Sequence, residues 1–139
     1  MPLKLAASAL LFDEAGCVLL IHESYGRRRW GPPGGRVEDG ETPWLAAVRE
    51  TREEVNIDVA VDHLVGLYLA ISDQSLLNFA FRCTILAGTP TPGHPDEISE
   101  IGWFEADQLP SLMTNSGPHA IADAVRGERG VFREVPKVR

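Results

Sequence analysis

Soft metal ligands and covalent staples are scarce in this chain. Only two of its 139 residues are cysteine, Cys17 and Cys83, and its four histidines, His22, His63, His94 and His119, are scattered. Neither thiol has a cysteine or histidine at ligand spacing, which disfavours a zinc site and a disulfide. Each cysteine sits in an apolar run and reads as a buried free thiol in a reducing cytosol. Positive charge is also short: 13 Lys and Arg stand against 20 Asp and Glu, a net charge of −7. Such a surface repels a polyanion, so no stable nucleic-acid partner is expected. Long apolar runs are missing, and none approaches the length needed to cross a bilayer. Lys4 followed by Leu5–Phe12 is a poor signal peptide, because the small residues Ala6–Ala9 precede the strongest apolar part and Asp13-Glu14 follow at once. A strand explains it better, and a cytoplasmic protein without a membrane partner is expected.

What is present fits one domain over residues 1–139, with 44% hydrophobic residues and no repeat or low-complexity block. Leu3–Phe12 and Cys17–His22 read as strands joined in a hairpin by the Asp13–Gly16 turn. Thr42 is suited to cap a helix that starts at Pro43 and leaves at Asn56. Trp44, Val48, Thr51 and Val55 recur at helical spacing and should face the core. A buried Thr51 hydroxyl needs a partner, most simply the Ala47 carbonyl one turn back. Ile57–Val61, Leu64–Ile71, Leu76–Leu86 and Ile98–Phe104 are β-like, the proline-rich Gly88–Pro95 is a surface loop, Ala106–Leu109 is a short helical turn, and Pro118–Arg126 is a closing helix. Strands on both sides of an embedded helix, with a second helix at the end, indicate an α/β fold whose sheet is covered on both faces.

The densest chemistry lies on the embedded helix. Glu50, Glu53 and Glu54 share one face, and Arg49 stands one turn before Glu53 and can hold it. Like charges at this spacing repel by roughly 0.2–0.5 kcal/mol per pair. A hard divalent cation such as Mg²⁺ or Mn²⁺ would neutralise the set through oxygen ligands. Glutamates on a helix are otherwise most simply a solvated face.

The spacing decides between these readings. Gly35, then Glu41, then Arg49-Glu50, Glu53-Glu54 and Ile57, preceded by Trp30–Gly34, closely resembles the Nudix box. Thr51 stands where that box has an aliphatic residue. Asn56 stands where it has glycine, a mild change because Asn tolerates the left-handed conformation that ends helices. The resemblance implies an α/β/α sandwich with a mixed sheet and the box as a loop-helix-loop. It also implies a metal-dependent hydrolase acting on a diphosphate linkage. Glu53 and Glu54 would be the main metal ligands, Glu50 a further ligand or the general base, and the Gly35 carbonyl a backbone ligand. Arg49 would orient a glutamate, and Glu41 would support the site from outside.

Outside the box, Arg27, Arg28 and Arg29 read either as phosphate grips or as solvated arginines, and Glu97 either as an acid assisting base or water, or as surface charge. Tyr25, Trp30 and Tyr68 are candidates to stack on a base or simply to pack. A nucleoside triphosphate is the first substrate expectation, and ADP-ribose or another nucleoside diphosphate derivative the second. A non-catalytic nucleotide-sensing module is the rival of another class, against which the intact acid set argues. For a small α/β hydrolase a homodimer is an expectation, with the oligomeric state open.

Overall fold

The structure, a computed structural model, describes residues 2–136. Eight strands form two sheets rather than one. The larger is five-stranded, in the order β4 (Gly34–Arg36), β1 (Leu3–Leu10), β6 (Ser75–Ala87), β5 (Asp58–Ala70), β8 (Val131–Glu134). It is mixed: β1 runs parallel to β6, β8 runs parallel to β5, and the other pairs are antiparallel. The smaller sheet is antiparallel, with β2 (Val18–Glu23) between β3 (Trp30–Gly31) and β7 (Ile98–Phe104). The Asp13–Gly16 turn forms as expected, with the Asp13 amide donating to the Cys17 carbonyl at 2.9 Å, but the strands it joins diverge into different sheets. The runs expected as two strands between Ile57 and Ile71 are one long strand with bulges, and the chain after Gly127 contributes the edge strand β8.

Alternation along β1 and β2 divides the core. Ala7, Ala9, Leu19 and Ile21 enter one cluster with helix α1 (Pro43–Val55), while Leu10, Val18 and Leu20 enter the other with helix α2 (Gly117–Val125). The helices therefore cover opposite faces, as the α/β/α architecture requires. Helix α1 begins and ends where its sequence indicates. Thr42 Oγ1 accepts from the Leu45 amide, Pro43 opens the first turn, and Asn56 is left-handed at φ 60°, ψ 35°. The buried Thr51 hydroxyl donates to the Ala47 carbonyl at 2.7 Å.

The expected core face of α1 holds at Val48, Thr51 and Val55 and needs correction at Trp44. Trp44 is 52% exposed, and the buried residues are Ala46, Ala47, Thr51, Glu54 and Val55. At 100° per residue that stripe is turned roughly 70° from the one the sequence suggested. Small Ala46 and Ala47 pack in the same cluster as Ala7 and Ala9 of β1, and this rotation carries Glu54 inward. Trp30 and Tyr68 take the packing alternative: Trp30 stacks on His22 and meets Phe104 edge-on, and Tyr68 is buried and donates to Asp123. One expectation changes, since Cys17 is only half-buried, although both thiols are free.

Candidate functional site

Helix α1 and the β4 loop bring the box residues together around one guanidinium. Arg49 grips Glu41 with two bonds, Nε to Oε2 at 2.7 Å and Nη2 to Oε1 at 3.0 Å. Its Nη1 donates to Glu50 at 2.9 Å and Glu53 at 3.0 Å, and Nη2 also donates to the Arg36 carbonyl at 3.1 Å. Glu38 lies a further 3.5 Å from Nη1. One cation thus serves four carboxylates, and the planar fork fixes their directions in a way a lysine could not. Bonds from Arg49, the first cause, and from the Glu38 amide hold the Glu41 carboxyl below its ordinary range.

Glu54 differs from its neighbours. It is 7% exposed, and the bond recorded for its carboxylate comes from the Gly34 amide, to Oε1 at 2.7 Å. Burial, opposed only by that bond and reinforced by Glu50, Glu97 and Glu23, pushes its pKa up to about 9. Glu50 is raised by burial as well, against the pull of Arg49. Glu53 stays largely exposed. Glycine is required beside them: a Cβ on Gly35 would lie 2.6 Å from the Glu50 carboxyl.

The proline-rich loop closes the far end of the helix. Gly93 and Thr91 amides donate to the Glu54 and Val55 carbonyls, and Asn56 Nδ2 bonds Thr91 and Pro92. These bonds satisfy helix carbonyls that would otherwise lack partners. A Cβ on Gly93 would collide with the Glu53 carbonyl. The exposed Glu97 that follows lies close enough to raise the pKa of both Glu50 and Glu54.

Glu54 lines the mouth of a cavity of about 300 Å³ between the larger sheet and the loop before α2. Tyr25, Glu23, Arg29, Gly35 and Arg36 line the same end. Of the three consecutive arginines only Arg29 lines this cavity; Arg27 and Arg28 are exposed, Arg28 with a left-handed backbone at φ 53°. Arg29 Nε is buried and makes no hydrogen bond among the described residues, but it is ion-paired with Glu23 Oε1 at 3.6 Å. Glu23 went unnoticed in the sequence, because one acid at a strand end carries no pattern.

The donor chemistry suits a hard divalent ion. Carboxylates supply only oxygen, and among the described residues the buried Glu54 has no ion pair. As the side chains stand, no three acidic, His or Cys groups among the described residues are arranged to chelate one, because Arg49 holds Glu50 and Glu53.

This geometry can be set beside known proteins. The NUDIX domain model matches residues 2–124, which include the whole Gly35–Ile57 box. The chain belongs to the NUDIX family of pyrophosphohydrolases. It is 28% identical over 124 residues to a MutT-like protein of Streptomyces ambofaciens, covering 89% of this chain and 78% of that one. It is 31% identical over 106 residues to an ADP-ribose pyrophosphatase of Mycobacterium tuberculosis, covering 71% of this chain but only 51% of its relative. A MutT NUDIX hydrolase structure from Burkholderia pseudomallei superposes with TM-score 0.82 at 25% identity, covering 88% of this chain and 98% of that one. The Nudix fold thus accounts for nearly the whole chain. Among the described residues no helix is long and apolar enough to cross a membrane.

Proposed function

We propose that this Nudix chain hydrolyses the diphosphate linkage of a nucleoside triphosphate and releases the monophosphate. Glu50, Glu53, Glu54 and the Gly35 carbonyl would hold Mg²⁺ or Mn²⁺. The observation that carries this reading is Glu54, a nearly buried carboxylate at the mouth of a nucleoside-sized cavity, beside further acids and with a single backbone donor recorded. When bound, the ion neutralises phosphate charge and lowers the pKa of water in its coordination sphere. Glu50, its pKa raised by burial and its carboxylate fixed by Arg49, would serve either as a further ligand or as the base that takes the proton of the attacking water, with Glu97 as the alternative base. Arg49 and Glu41 keep the acids aimed. Arg29 Nε, which makes no hydrogen bond of its own, would meet a phosphate oxygen. The two free thiols suit a reducing, cytoplasmic setting.

An ADP-ribose-type substrate is the second reading. It is favoured by a shallower hollow at Ser72–Gln74 that shares Ala70, Leu76 and Asn115 with the main cavity and could take a second sugar. Release of nucleoside monophosphate from a panel of triphosphates and ADP-ribose, with Mg²⁺ or Mn²⁺, tests both. Glu53→Gln should lower kcat/KM by roughly a hundredfold or more, the scale on which one preorganised electrostatic contact acts, while the fold survives. Equal rates in the two proteins would refute the assignment.

A further inference from the structure

The same cavity carries a polar group that diphosphate chemistry does not use. Asn78 lies in the centre of β6, between Ala6 of β1 and Tyr68 of β5, where an apolar or β-branched residue would be favoured. It is 8% exposed and lines the cavity. Its Nδ2 donates to Ser8 Oγ at 3.2 Å and to Ser116 Oγ at 3.1 Å. Ser116 occupies the N-cap position of α2 yet makes no side-chain capping bond; its hydroxyl is turned to Asn78 instead. Both amide hydrogens are thereby used. Oδ1 accepts nothing among the described residues, and neither serine hydroxyl donates to any of them. The outcome is a fixed carbonyl acceptor flanked by two hydroxyls, set among the apolar walls of Ala6, Ala70 and Leu76.

We infer that Asn78, oriented by Ser8 and Ser116, is a specificity-determining residue that reads a nucleobase through its N–H donors, with Oδ1 as the acceptor. This rests on the proposed nucleotide substrate and assigns the Asn78 end of the cavity to the base and the Glu54 end to the phosphates. An unmatched ligand would leave the buried acceptor desolvated without a partner, which is how polar sites discriminate. Guanine, with adjacent imino and amino hydrogens, matches a carbonyl that has two lone pairs. Purine riboside has the same ring system and no N–H.

The test is calorimetric binding of GMP and purine riboside 5′-monophosphate in EDTA, so that no metal or turnover enters. The wild type should prefer GMP by about tenfold, as one well-placed hydrogen bond provides. Asn78→Ala should lose the preference, and Asn78→Asp, which retains an acceptor, should keep it. If Asn78→Ala fails to melt cooperatively, Ser116→Ala is read the same way. Equal binding of both ligands by the wild type, or a preference that survives Asn78→Ala, overturns the inference. A protein that shows the preference but hydrolyses no nucleotide would overturn the proposed function alone.

Discussion

Two charge clusters in this molecule are built from the same residue types in inverted proportion. On α1 one guanidinium, Arg49, contacts Glu38, Glu41, Glu50 and Glu53, while Glu54 pairs with the Gly34 amide and lines the cavity. Beneath α2 one carboxylate, Asp123, is fully buried and receives Arg133 at 2.7 and 2.8 Å, Arg126, and the Tyr68 hydroxyl at 2.8 Å. The second cluster is complete: Arg133 and Tyr68 hold the Asp123 carboxyl below its usual range, and the set joins β5, β8 and α2. The first is not complete. Its acids outnumber its cation, burial raises the pKa of Glu50 and Glu54, and Glu54 lines a cavity. A closed set of charges stabilises, whereas an unbalanced one beside a cavity is prepared for a ligand.

The comparison is broken most severely by exchanging the central residue of the open cluster. Arg49→Lys keeps the charge but loses the fork, and kcat/KM should fall roughly 10–100-fold, the range seen when groups that orient metal ligands are removed. A melt within a few degrees of wild type would separate this from unfolding. In the closed cluster the effects should reverse. Asp123→Asn replaces charge-assisted bonds by neutral ones and should cost about 2–3 kcal/mol in urea unfolding. The activity of the folded fraction should change less than twofold. If Asp123→Asn instead spared stability and abolished turnover, the division between the clusters would be wrong.

A smaller effect sharpens the account of Glu54. Between its ordinary value of 4.5 and about 9, the folded chain holds a proton that the unfolded chain has lost. Stability without metal should therefore decline as pH rises through that window. Glu54→Gln should flatten the decline and raise the midpoint at pH 8 by a few degrees, about what 1 kcal/mol gives a domain of this size. An identical pH dependence in the variant would show that Glu54 is not buried as described.

What the sequence made legible was local. The Thr42 cap, the Asn56 exit, the Thr51 bond and the alignment of Arg49 with Glu53 follow from spacings within a few turns, and the box brought Gly35 and Glu41 with them. The pairing of β1 with β6, across some seventy residues, has no local signature, nor does the division into two sheets. The rotation of α1 that buries Glu54 depends on which alanines pack beside β1, a tertiary choice that periodicity leaves open. Asn78 and Asp123 were overlooked because each is one polar residue in an apolar segment. That interruption is itself the signal, since a polar side chain at a core position must have a partner.

Thermal melting at fixed ionic strength and pH 7.5, with increasing Mg²⁺ or Mn²⁺, probes the open cluster most directly, because an ion that binds only the folded chain raises its midpoint. The wild type should show a saturable rise that the Glu53→Gln, Glu54→Gln double variant lacks. An equal rise in both proteins, or none in the wild type, would contradict a divalent-ion site at these glutamates.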